Sequence, residues 1–278
     1  VTLPHETPSR PAIMGILNVT PDSFSDGGRY LDFSDAVGHG EQMAAEGADL
    51  IDVGGESTRP GAERVDAATE IARVVDVVAA LAERDLTVSI DTTRAAVAAA
   101  AIDAGASVVN DVSGGLADPD MASVVADREV RWILMHWRGH SSDMQRLAHY
   151  ENVVADVKAE LEDRVEAALD SGVDRSKLIL DPGIGFAKSA AHNWQLSARL
   201  DEFVGLGFPV LFASSRKSYL GKLLSDEGGK PRPVGQREAA TLATSVLAFE
   251  AGAWGVRVHD VAGTADAREV WMATRNAA

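Results

Sequence analysis

The stretch Met14-Gly15-Ile16-Leu17-Asn18-Val19-Thr20-Pro21-Asp22-Ser23-Phe24-Ser25-Asp26-Gly27-Gly28 changes character halfway along. Ile13 to Leu17 is a short apolar run, and it predicts a buried strand. Asn18 stands where that strand ends. Thr20-Pro21-Asp22 and Asp26-Gly27-Gly28 are turn chemistry, so a loop follows. One loop thus presents an amide, carboxylates and a Phe at the end of a buried strand. Packing alone gives no reason for that set.

Working outward, the same unit recurs. Leu50 to Val53 predicts a strand ending near Asp52, followed by Gly54-Gly55-Glu56-Ser57-Thr58-Arg59-Pro60-Gly61. Leu86 to Ile90 ends at Asp91, Ser107 to Val109 at Asn110-Asp111, and Trp132 to Met135 at His136. Lys177 to Leu180 ends at Asp181-Pro182-Gly183, Pro209 to Ala213 at Ser214-Ser215-Arg216-Lys217, and Trp254 to Val258 at His259. Between these strands lie helical stretches. Phe33 to Glu46 has Asp32 or Ser34 as cap candidates. Ile71, Val74, Val75, Val78 and Leu81 share one helical face. Asn152 to Ser171, Asn193 to Leu206, Tyr219 to Leu224, Arg237 to Ala251 and Thr264 to Asn276 are read as single helices. Eight strands alternating with helices in this length predict a (β/α)8 TIM barrel, an α/β fold in one domain. That domain is placed at 12–278, with 1–11 as an N-terminal extension. An open doubly wound sheet is the competitor. It is disfavoured because no G-x-G-x-x-G follows the first strand.

Composition narrows the function. A net charge of −16 opposes nucleic-acid binding, which needs a basic face. No apolar run is long enough for a membrane span. The absence of cysteine excludes disulfides and thiolate metal sites. Val1 to Arg10 carry no apolar signal core, so cytoplasm is the expected compartment.

A weak internal repeat marks a site. Gly47, Gly105 and Gly252 each end a helix, and the fifth residue after each is Asp52, Asn110 or Arg257. Equal offsets predict equal heights at the strand ends, where a barrel carries its active site. Asn18, Asp91, Asp181 and Lys217 occupy the same level. An Asp carboxylate matches the ring N–H and exocyclic amine of a 2-amino-4-oxo-pyrimidine. Asn110 and Lys217 supply donors to such a ring. Arg59, Arg257 and His259 form an anion set suited to phosphate or diphosphate. Asn18 offers an oxygen to Mg2+, which also binds substrate phosphates. Asp52 and Asp111 read as loop support, and Asp91 and Asp181 have helix capping as their ordinary alternative. His136 and His140 have the look of a metal pair, with a small share given to that reading.

Together these motifs, with Ile184-Gly185-Phe186 and Arg257-Val258-His259-Asp260, resemble the dihydropteroate synthase family of the folate pathway. The resemblance runs from about Ile13 to Ala273, with motifs in family order. It implies a Mg2+-dependent transferase, usually a homodimer and a sulfonamide target. The implied reaction joins 6-hydroxymethyl-7,8-dihydropterin diphosphate and p-aminobenzoate, giving 7,8-dihydropteroate and pyrophosphate. By resemblance, Asp91, Asn110, Met135, Asp181, Phe186 and Lys217 hold the pterin. Asn18, Arg59, Arg257 and His259 hold the diphosphate, Asn18 through Mg2+. Pro21, Phe24, Thr58, Arg59, Lys217 and Ser218 receive p-aminobenzoate. The catalytic set is Asp26, Arg59, Asp91, Lys217, Arg257 and His259. Two rivals are a methyltetrahydrofolate-type methyltransferase, which needs no diphosphate clamp, and a silent pterin-binding paralogue, which should have lost Arg59 or Ser215-Arg216-Lys217.

Overall fold

The fold is that of a computed structural model, and the described residues are 9–20, 29–56, 65–139 and 147–277. The strands are β1 (Ala12–Asn18), β2 (Leu50–Gly54), β3 (Val88–Asp91), β4 (Val108–Asp111), β5 (Arg131–Met135), β6 (Leu178–Asp181), β7 (Leu211–Phe212) and β8 (Gly255–Val258). The helices are α1 (Arg29–Ala45), α2 (Ala67–Ala82), α3 (Ala95–Asp103), α4 (Met121–Arg128), α5 (Val153–Asp170), α6 (Ala190–Ala198), α7 (Leu200–Val204), α8 (Ser218–Leu223), α9 (Glu238–Glu250) and α10 (Val261–Asn276).

All strand pairs are parallel, in the order β6-β5-β4-β3-β2-β1-β8-β7. A single bridge between Leu180 and Val210 brings β6 to β7 and closes the cylinder. The expected barrel is therefore present. Successive strand residues face opposite sides. Met14, Leu50, Val108, Ile133, Ile179 and Leu211 pack together inside the cylinder. Two residues further along, Asp52, Asn110, Met135 and Asp181 form the next inward layer, so an apolar floor supports a mostly polar mouth. The outward residues, such as Ile13, Leu17, Ile51, Val53, Val109 and Leu134, pack against the helices in a separate, larger core.

Three local readings change. Helix α1 begins at Arg29, so Asp32 and Ser34 lie within it and not at its start. The stretch read as one helix from Asn193 to Leu206 is two. Arg199 leaves helical geometry (φ −126°, ψ 30°) between them, while Leu200 and Phe203 keep the buried face continuous. Only Leu211 and Phe212 of the seventh strand form a regular ladder. Among the described residues, no helix is long and apolar enough to cross a membrane.

Candidate active site

The three residues of the internal repeat meet. Asp52 Oδ2 accepts from Asn110 Nδ2 at 2.9 Å and from Arg257 Nε at 2.6 Å. Arg257 Nη2 reaches on to Asp91 Oδ2 at 2.8 Å. Strand register accounts for this. Gly54 pairs with Asp91 and Asp91 with Asn110, while Ile16 pairs with Asp52 and Met14 with Arg257. One guanidinium thus sits between two buried carboxylates, and only such pairing makes their burial tolerable. Asp52, read from the sequence as loop support, instead holds two residues of the site and is wholly buried. Asp111 does support its loop, accepting from the Ser113 amide, the Ser113 hydroxyl and the Gly115 amide.

Asp52 Oδ1 and Asp91 Oδ1 are buried with no hydrogen-bond partner among the described residues. Each is an open acceptor at the barrel mouth, suited to a ligand N–H. Burial raises Asp91 to about 7; Arg257 opposes that rise and Asp52 adds to it. Between its ordinary 3.8 and about 7, folded Asp91 keeps a proton that the unfolded chain has lost, so its contribution falls as pH rises through that window. Asp91→Asn removes the titrating group. Its stability relative to wild type should therefore increase from pH 5 to pH 8, as read by urea midpoints; a constant difference would refute the assignment.

On the opposite wall, burial lowers Lys217 to about 8, with Asp181 working against that fall. Lys217 Nζ donates to the Ile184 carbonyl and lies 4.8 Å from the Phe186 ring centroid. Asp181 pairs in register with Met135, and its Oδ1 accepts from the Gly183 amide at 2.7 Å. Burial raises Asp181, and the Lys217 ammonium opposes the rise. Neither aspartate caps a helix. The first amide of α3 is held by Asp118 at 2.8 Å, and α6 is capped by Ser189.

At the end of β8, the His259 amide donates to Ser215 Oγ at 3.2 Å, and that hydroxyl lies 2.9 Å from His259 Nδ1. Ser215 therefore orients the imidazole. Arg216 (φ 58°) pairs with Glu238, and its carbonyl accepts from Arg237 at 2.8 Å. Ser218 opens α8 directly after Lys217. Asn18 ends β1; a β-carbon placed on Gly54 would lie 3.9 Å from Asn18 Oδ1 and 3.7 Å from Asp91 Oδ2. Glycine there leaves a space beside two oxygens. Pro21, Phe24, Asp26, Thr58, Arg59 and His140 lie outside the described residues.

His136 is not poised for a metal. Its ring lies between Glu160 and Lys188, at 2.9 Å from each. Among the described residues, no group of three or more His, Asp or Glu is arranged to hold a metal ion. Sequence reasoning missed Glu160 and Lys188, because their partner lies 24 and 52 residues away and no local pattern marks them.

With this geometry in place, likeness to known proteins is specific. The model of the family described as "Pterin binding enzyme" matches residues 14–259. The dihydropteroate synthase of Mycobacterium leprae is 55% identical over 259 residues, covering 93% of this chain and 91% of the relative. A solved Xanthomonas albilineans dihydropteroate synthase with 4-aminobenzoic acid superposes with a TM-score of 0.88 at 46% identity, covering 96% of this chain and 93% of the other. The Xanthomonas albilineans enzyme in complex with 7,8-dihydropteroate gives 0.85 at 43% identity, covering 96% and 94%. A barrel mouth with paired carboxylates, an arginine between them and a lysine opposite, on a chain this similar throughout, identifies the protein as a member of the pterin-binding enzymes, among the dihydropteroate synthases.

Proposed function

We propose that this chain condenses 6-hydroxymethyl-7,8-dihydropterin diphosphate with p-aminobenzoate, releasing pyrophosphate. The observation that carries this reading is the run Asn110–Asp52–Arg257–Asp91 with its two open carboxylate oxygens. Asp91 and Asp181 accept the N–H groups of the pterin, and Asn110 and Lys217 donate to its ring nitrogens and oxo group. Met135 and Phe186 line the slot. Arg257 and His259, with Arg59, hold the diphosphate.

The C–O bond to the pterin methylene breaks and its electron pair leaves with the diphosphate. The cationic side chains stabilise that anion where its charge grows. Ionised carboxylates near the ring favour the cation left behind. The p-aminobenzoate nitrogen then gives its lone pair to the methylene carbon, and one of its N–H protons passes to pyrophosphate or water. Pro21, Phe24 and Thr58 are assigned to the aminobenzoate ring, Ser218 to its carboxylate and Asp26 to the reacting end.

Mg2+ fits this site. Asn18 offers an amide oxygen at the end of β1 beside Gly54, a donor of the kind Mg2+ prefers, and few protein ligands suffice when substrate phosphates and water supply the rest. Asn18 would hold it. When bound, Mg2+ neutralises charge on the leaving diphosphate. Cytoplasm as compartment and a homodimer as assembly belong to the same reading.

The test is direct. Purified protein given both substrates and Mg2+ should form dihydropteroate and pyrophosphate in equal amounts, and a sulfonamide should compete with p-aminobenzoate but not with the pterin. No product, with pterin still bound, would mark a silent pterin-binding protein instead.

A further inference from the structure

One buried lysine, whose amine burial lowers to about 7, has no part in the mechanism above. Lys188 is only 3% exposed and lies just beyond Phe186 and Ala187 in the β6–α6 loop. Its Nζ donates to the Phe186 carbonyl at 3.0 Å and lies 2.9 Å from His136 Nδ1. The other ring nitrogen, Nε2, lies 2.9 Å from Glu160 Oε2 on α5. Arg138 Nε also donates to Glu160, at 3.0 and 3.1 Å.

The direction of each bond can be assigned. Burial lowers His136 to about 4, so the ring is neutral and only one nitrogen carries hydrogen. Burial pushes Glu160 up, but hydrogen bonds from His136 and Arg138 prevail and hold it near 2, so it is an ionised acceptor. The hydrogen is therefore on Nε2 and points at Glu160. Nδ1 accepts, and Lys188 is its donor.

The segment these groups hold is strained. Ala187 has φ 48°, a left-handed conformation that is unfavourable for a non-glycine residue. Its carbonyl accepts from Tyr150 Oη at 3.0 Å, and the Arg138 guanidinium lies 3.9 Å from the centroid of the Tyr150 ring. Two consecutive carbonyls are thus held from different sides around a strained residue. Strain persists where surroundings over-determine it, and it clusters at functional sites. The side chain fixed here is Phe186, whose ring faces the Lys217 ammonium; that ammonium bonds Ile184 in the same loop.

We propose that Lys188 is a positioning residue for the pterin site: backed by His136, Glu160 and Tyr150, it sets the Phe186 wall. This deepens the functional reading above and rests on it.

Lys188→Met and Tyr150→Phe test it in steady state and by equilibrium titration with the fluorescent 6-hydroxymethylpterin. Lys188→Met should raise KM for the dihydropterin diphosphate about tenfold or more, the worth of the two buried hydrogen bonds it removes. KM for p-aminobenzoate should stay within about twofold and kcat within about threefold, since the Phe186 wall is assigned to the pterin alone. Tyr150→Phe removes one neutral bond and should raise the same pterin KM about threefold. Parallel losses in both KM values and kcat, or an unchanged pterin KM, would overturn the proposal. Should Lys188→Met fail to fold, an unchanged pterin KM in Tyr150→Phe overturns it alone. A wild-type protein that binds pterin but makes no product refutes the synthase reading only, and the titration then decides the positioning role. A wild type that binds no pterin refutes both.

Discussion

Replacing Arg257 by alanine should lower kcat/KM by about a thousandfold and destabilise the fold as well. Arg257 is the only group seen to bond both Asp52 and Asp91 among the described residues, and both carboxylates are buried. Removing one partner of a buried ion pair costs about 3–5 kcal/mol, because the other charge stays behind. Here two are left, and an anion-binding donor goes with them. The damage should depend on pH in a set direction. With burial already raising Asp91, protonation relieves the uncompensated charge, so the variant should be less impaired in stability at pH 5 than at pH 8. Arg257→Lys should fall between. An ammonium keeps the charge but cannot present the two-sided fork that spans both carboxylates. Equal urea midpoints for wild type and Arg257→Ala at pH 8 would mean that Asp52 and Asp91 do not depend on this guanidinium.

Gly183→Ala should cost about 2–4 kcal/mol and abolish pterin binding at accessible concentrations. Gly183 has φ 69°, and a β-carbon there would stand 2.3 Å from the His136 carbonyl oxygen and 3.2 Å from Lys188 Nζ. The first contact is with backbone and cannot rotate away. His136 is itself pinned, its amide donating to the Asp181 carbonyl at 2.9 Å. Gly172→Ala is the matched control. Its φ is 89°, yet a β-carbon there meets nothing within 4 Å, so it pays for conformation alone, about 1–2 kcal/mol. Similar losses at the two positions, measured by denaturant unfolding, would show that the His136 carbonyl yields easily.

The barrel was legible because its strands are short β-rich runs that end in glycine- and proline-bearing loops, and its helices carry clear apolar faces. The height of the site was legible too. Asp52, Asn110 and Arg257, picked out by equal spacing from three glycines, touch one another. What could not be read depends on partners distant along the chain. Asp52 looked like loop support because nothing local announces an arginine 205 residues away. His136 kept a small share for a metal because a histidine beside a loop looks alike whether its neighbour is an ion or Glu160. The break at Arg199 was hidden because Leu200 and Phe203 continue the apolar face across it.

The cylinder's closure is uneven. Between β6 and β7 there is one bridge, Leu180 to Val210, and β7 has only two ladder residues. Asp181 follows directly on one side of that seam, and Lys217 follows the short strand on the other. Breathing of the barrel should therefore be cheapest at this seam, and a ligand bonded to both Asp181 and Lys217, as proposed for the pterin, would act as a rivet. Substrate occupancy and the rigidity of the whole cylinder become one quantity, and a pterin analogue should tighten the seam without touching a single strand hydrogen bond.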